Sequence, residues 1–144
     1  MSLIYLLVPL AAVLIAQVSK FFIKNNNLKL NWKNLMAYSG MPSSHAAITT
    51  SLATIIGLGE GIGSPIFAVA VLLALLSIRD AVGIRQYIGK QGEVINELVE
   101  DLEEDNLVDN QYPTLLEKVG HTPKQLIAGT ILGIAVGILG GFFI

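Results

Sequence analysis

More than half of this 144-residue chain lies in four apolar stretches, residues 3 to 23, 43 to 59, 63 to 79 and 123 to 144. A helix needs about 20 predominantly apolar residues to cross a hydrocarbon core about 30 Å thick. The first and last stretches meet that length, and the second is shorter and more polar. Inside lipid every backbone N–H and C=O must be satisfied within its own segment, so such stretches are expected as helices. With 53% hydrophobic residues, 14% charged residues and a mean hydropathy of +0.64, the chain is too apolar for an ordinary water-soluble domain. The expected fold class is an all-α integral membrane protein with about four transmembrane helices, one membrane-embedded domain over residues 1 to 144. No basic cluster precedes the first stretch and no small-residue cleavage site follows it, so it reads as a retained span. The chain has no cysteine, which removes disulfides and thiolate metal sites.

A polar connector, KNNNLKLNWKNLMAYSGM, separates the first two stretches, and a longer hydrophilic segment from about 80 to 121 separates the last two. The glycine-rich GLGEGIGSP, residues 57 to 65, reads as a tight hairpin between spans. Lys20, Lys24, Lys29 and Lys33 sit in or beside the first connector, and Arg79, Arg85, Lys90, Lys118 and Lys124 in or beside the second. These are all nine Lys and Arg residues, so both connectors are expected on the cytoplasmic side of the plasma membrane and both termini outside. In the second connector Val94, Ile95, Leu98, Val99 and Leu102 share one helical face, which predicts an amphipathic helix packed on the bundle or lying at the interface. The acidic EDLEEDNLVDN lacks the glycine and fixed ligand spacing of a calcium loop and reads as a solvated face. Gly129, Gly133, Gly137 and Gly141 recur every four residues, a smooth ridge for another span of the same chain or for a homodimer seam.

The two histidines of the chain both stand at the start of an apolar helix, on the cation-rich side. Thr122, Pro123 and Gln125 after His121 form a capping-box pattern, and Ser43 or Ser44 beside His45 suits an N-cap. Two helix N-termini opening at one face outline an anion site, with Lys20, Arg79 and Arg85 as cations that suit phosphate. One imidazole can attack phosphorus while the other protonates the departing oxygen. No cofactor is implied, and two histidines without cysteine or a carboxylate cluster do not make a zinc site. Taken singly, each histidine also reads as an interfacial polar residue, each arginine as a topology anchor, and Lys20 as a snorkelling end.

Three blocks, GMPSSHAA, RDAVGIRQYIGKQ with the following Asn96, and GHTPKQLIAG, together resemble the divergent PAP2 family. Those proteins are related to type 2 phosphatidic acid phosphatases and vanadium-dependent haloperoxidases. The resemblance implies a proton-donating role for His45, phosphate donation by Ser43 with Ser44 in place of the usual glycine, and a nucleophilic role for His121. Gln125 stands where the superfamily has an aspartate that orients the nucleophile. Lys20 is followed by Asn27 and Leu28 where the superfamily has Arg-Pro, and Arg85 precedes His121 by the whole amphipathic insert.

The expected function is a membrane phosphatase that hydrolyses a lipid phosphate monoester through a phosphohistidine at the cytoplasmic face. Lys20, Ser43, Ser44, Arg79 and Arg85 are the expected phosphate ligands. The alternative is a non-catalytic protein that binds a phospholipid headgroup or builds an assembly on a degenerate site. A transporter has little support, because no inverted repeat and no charged residue at mid-span depth is visible. Nothing points to nucleic acid.

Overall fold

The computed structural model of the protein describes residues 3–23, 40–104, 112–117 and 119–144. Every regular element among them is helical: α1 (Ile4–Ser19), α2 (Ser44–Gly59), α3 (Pro65–Val82), α4 (Ile84–Glu104) and α5 (Pro123–Gly141). A helix thus stands at each of the four apolar stretches and at the amphipathic one. Two helical runs, Pro65–Glu104 and α5, are long and apolar enough to cross a membrane. α1 and α2 have 16 residues each, a rise of about 24 Å that falls short of a 30 Å core. Lys24, Asn27, Leu28, Lys29, Lys33 and Lys118 lie outside the described residues, as do residues 105–110 of the acidic run.

Local chemistry sets the helix starts. Ser43, Ser64 and Thr122 cap α2, α3 and α5, each hydroxyl accepting from a backbone N–H three residues on. Pro65 and Pro123 occupy first-turn positions where no N–H is needed. Gly83 separates α3 from α4, and a Cβ there would stand 2.8 Å from the Arg79 carbonyl oxygen.

α2 is the central helix, packed against α1, α3 and α5. Its sequence is rich in hydroxyls, which favour caps over helix interiors, yet each is absorbed locally. Thr49, Thr50, Ser51 and Thr54 donate to the carbonyls of His45, Ala46, Ile48 and Thr50 at 2.6–2.9 Å. Polar side chains can therefore line an apolar interior without losing hydrogen bonds.

Small residues bring the backbones together. Gly129 packs on the Ser43 backbone, Gly133 on Ala47 and Thr50, and Gly137 on Thr54 and the Ser51 carbonyl. The ridge meets α2 of the same chain, and Gly129, Gly133 and Gly137 are buried there. Ala12, Ala16 and Ala47 are fully buried where α1 meets α2 and α5. The outward faces are apolar: Leu14, Leu76 and Ile131 are each more than 60% exposed. Such a surface suits lipid rather than water.

α4 departs from a simple interfacial helix. Its Gly89 and Gly92 are buried against the return segment, where a Cβ would collide with the Glu117 carbonyl at Gly89 and stand 3.0 Å from the Leu116 carbonyl oxygen at Gly92. Val99 and Leu102 are half-buried, whereas Val94, Ile95 and Leu98 of the expected apolar face are exposed.

Candidate functional site

Three chain segments converge where α1 ends and α2 and α5 begin. The N–H of Ser43 donates to the carbonyl of Gln125 at 3.0 Å, which seats the first turn of α5 against the start of α2. His45 and His121 meet there in a T-shaped arrangement, ring centroids 5.9 Å apart and planes at 72°. Lys20, buried at the end of α1, and Arg85, on the first turn of α4, lie close enough to act electrostatically on both imidazoles. The long insert between Arg85 and His121 is thus closed up in space.

His121 is held by its backbone. Its N–H donates to the Ala81 carbonyl at 3.0 Å, and its own carbonyl accepts from Gln86 Nε2 at 2.6 Å. Gly120 before it has φ +95°, a conformation that L side chains rarely adopt, and sits against the Gln86 backbone and the Ala81 carbonyl. Farther back, Asn96 clamps the return segment: its Nδ2 donates to the Leu115 carbonyl and to Glu117 Oε1, and its Oδ1 accepts from the Leu115 N–H, all at 2.9–3.0 Å.

The imidazole itself is left open. His121 is 2% exposed, and both ring nitrogens are buried with no hydrogen-bond partner among the described residues. Burial in the first place, then the charges of Lys20, His45 and Arg85, lower its pKa from 6.5 to about 4. It is therefore neutral near pH 7, the form that can attack. Native structures rarely leave buried polar groups unpaired, so this pair of ring nitrogens stands out from the rest of the interior. Ser44 Oγ and Gln17 Oε1 are buried and unpaired in the same sense.

The site differs from the sequence expectation in three respects. Gln125 does not orient His121: its Oε1 accepts from the Thr122 N–H at 2.9 Å, closing the capping box with Thr122 Oγ1. Ser43 Oγ is engaged as the α2 cap, which leaves Ser44 Oγ as the open hydroxyl. Arg79 is exposed on α3, whereas Arg85 is half-buried and paired with Asp80 at 2.5 Å. Gln86 and Asn96 carry roles that motif reading did not assign, and Gln17 leaves a buried, unpaired amide oxygen near the end of α1. Of these Gln17 had a legible signal, an amide one helical turn before Lys20 in an apolar helix.

A cavity of about 450 Å³ between α4 and residues 112–117 is lined by Asn96, Glu100, Glu103 and Glu117 among others, and its carboxylates repel phosphate. Its value to the site is mechanical. Asn96→Ala removes three hydrogen bonds and is expected to speed amide exchange over residues 112–121, with a destabilisation of about 1–3 kcal/mol. Exchange unchanged at Leu115 and His121 would show that Asn96 does not hold the return segment.

The model of the divergent PAP2 family matches residues 2–136 of the chain. A relative in Bacillus subtilis (strain 168), the uncharacterized membrane protein YuiD, is 35% identical over 150 residues, covering 96% of this chain and 94% of the relative. No solved structure matches.

Proposed function

The chain belongs to the divergent PAP2 family, and from that premise we propose that it is a membrane phosphatase acting on a lipid phosphate monoester. The observation that carries this reading is the pair of imidazoles 5.9 Å apart, one of them with both nitrogens buried and unpaired, beside Lys20 and Arg85. Rings this close serve one phosphoryl group. A His121 ring nitrogen attacks phosphorus, the N–P bond forms as the P–O bond to the lipid alcohol breaks, and His45 gives its proton to the departing oxygen. Water then attacks the phosphohistidine, His45 takes back a proton, and inorganic phosphate leaves with His121 restored. Lys20, Arg85, Ser44 Oγ and the first N–H groups of α2 and α5 offset the charge on the phosphoryl oxygens.

In this reading α1, α2, α3 and α5 are four spans, and the two connectors with their cations face the cytoplasm. The enzyme takes substrate at the cytoplasmic face of the plasma membrane, with both termini outside.

The test is phosphate release by the purified protein in detergent, offered lipid phosphates with different headgroups, together with an alkaline quench after brief exposure to labelled substrate. Release with an acid-labile, base-stable phosphoprotein is the expected result. No release from any lipid phosphate removes the catalytic reading. A second reading, a headgroup-binding protein without turnover, is favoured by one observation: Gln125 is neutral and spent on the cap, so among the described residues no carboxylate bonds to His121.

A further inference from the structure

Asp80 and Arg85 stand five residues apart, a separation that puts side chains on different faces of a continuous helix, where residues three and four apart are the neighbours. They meet because the helical run breaks at Gly83, between the last turn of α3 and the first turn of α4. Across that break Arg85 Nε donates to Asp80 Oδ2 at 2.5 Å. We infer that Asp80 is a positioning residue of the site, which fixes the Arg85 guanidinium so that its terminal nitrogens meet the phosphoryl oxygens of the bound headgroup. The inference rests on the phosphatase reading above for what Arg85 grips.

The ion pair shares its frame with the imidazole that attacks. Ala81, the residue after Asp80, accepts the N–H of His121 at 3.0 Å. Gln86, the residue after Arg85, donates from Nε2 to the His121 carbonyl at 2.6 Å. Two adjacent residues of α3 and two of α4 thus hold the cation and His121 together. Asp80 also acts electrostatically on His45, as Lys20 and Arg85 do, which sets the pair beside both histidines.

The pair does little for the fold, because its Arg85 and Asp80 side chains are 31% and 41% exposed and ion pairs open to water contribute little to stability. Its geometry does more. A guanidinium carries one N–H on Nε and four on its terminal nitrogens, all in one plane. Asp80 takes the Nε side, and the terminal nitrogens are left in a fixed direction for two oxygens of a phosphate, a fork that lysine cannot offer. Removing the carboxylate leaves the charge of Arg85 in the site and takes away its aim. Attraction for phosphate then persists, while the donors no longer meet the oxygens where charge develops.

Two measurements on the full-length protein in detergent test this. In the first, variants are assayed on one lipid phosphate monoester. Asp80→Ala is expected to lower kcat about 10–10²-fold with KM within about twofold of wild type, because the cation stays. Asp80→Asn, whose amide oxygen still accepts from Nε, is expected to recover to within about threefold of wild type. Asp80→Ala combined with Arg85→Ala is expected to be no slower than Arg85→Ala alone, since Asp80 acts through Arg85. A raised KM with kcat unchanged, an Asn variant as slow as the Ala variant, or additive losses in the double variant overturns the positioning role.

The second measurement needs no turnover. The chain has two arginines, Arg79 and Arg85, so isotopic labelling of arginine Nε gives two magnetic resonance signals, which Arg79→Lys assigns. The Arg85 Nε–H is expected to exchange with water at least about tenfold more slowly than that of exposed Arg79, and to keep this protection when inorganic phosphate is added. In Asp80→Ala it is expected to exchange as fast as Arg79. Equal exchange at the two arginines of the wild type, protection that survives Asp80→Ala, or release of Nε by phosphate overturns the inference. If the wild-type protein hydrolyses no lipid phosphate, the phosphatase reading falls, and the exchange rates still decide whether Asp80 fixes Arg85.

Discussion

His121→Asn lowers kcat for lipid phosphate hydrolysis by at least about 10³-fold, because it removes the atom that forms the covalent intermediate. Asparagine keeps the Ala81 and Gln86 contacts, which run through the backbone of residue 121, so the fold survives the change. His45→Gln acts differently. An alkyl alkoxide leaves poorly without a proton, so kcat falls by about 10²–10⁴-fold on lipid phosphate. An aryl phosphate, whose phenolate leaves unaided, recovers most of that loss in His45→Gln and none of it in His121→Asn. A His121→Asn protein as active as wild type ends the covalent mechanism, and equal recovery of both variants on the aryl substrate ends the division of roles.

The same residue carries a pH signature. His121 titrates at about 4 in the folded protein against 6.5 in an unfolded chain, so between those values the unfolded chain binds the extra proton. The stabilising contribution of the neutral buried imidazole is complete above about pH 6.5 and is lost progressively as pH falls toward 4. Thermal unfolding in detergent at pH 7.5 and at pH 4.5 should show a larger drop for the wild type than for His121→Asn, which has nothing to titrate there.

What could be read from residues alone was what local chemistry decides. The Thr122, Pro123 and Gln125 cap depends on neighbours within three positions and formed as the pattern requires. The same proximity explains why Gln125 left His121: its amide satisfies the cap N–H at its own helix start. Arg79 and Arg85 are equivalent in sequence, both following an apolar run. They are distinguished only because Gly83 breaks the helix between them, leaving Arg79 exposed on α3 and turning Arg85 toward the histidines. Asn96 and Gln86 act across 19 and 35 residues on backbone groups, and no periodicity records such partners. The lengths of α1 and α2 follow from where Ser43 caps and where α1 stops, not from hydropathy, which set wider bounds.

The glycine ridge offers the sharpest contrast along one helix, because its positions meet different kinds of atom. At Gly129 a new Cβ collides with the Ser43 carbonyl oxygen and lies 3.0 Å from that residue's backbone N and C, none of which can rotate away. At Gly141 the nearest atom is Leu58 Cδ1 at 2.7 Å, the far end of a flexible side chain. Gly129→Ala is therefore expected to cost about 1–3 kcal/mol or more in stability, as overpacking does. It also pushes α5 off the start of α2, two residues from His45. Displacing His121 from His45 by about 1 Å is expected to lower kcat about 10²-fold. Gly141→Ala should change either quantity little, and Gly63→Ala, with nothing within 4 Å of its Cβ, serves as the neutral reference. The order follows from α5 resting on α2 of the same chain. A seam between two copies would instead change the oligomeric state with protein concentration, and would give Gly141, nearer the open end of the ridge, at least as large an effect as Gly129.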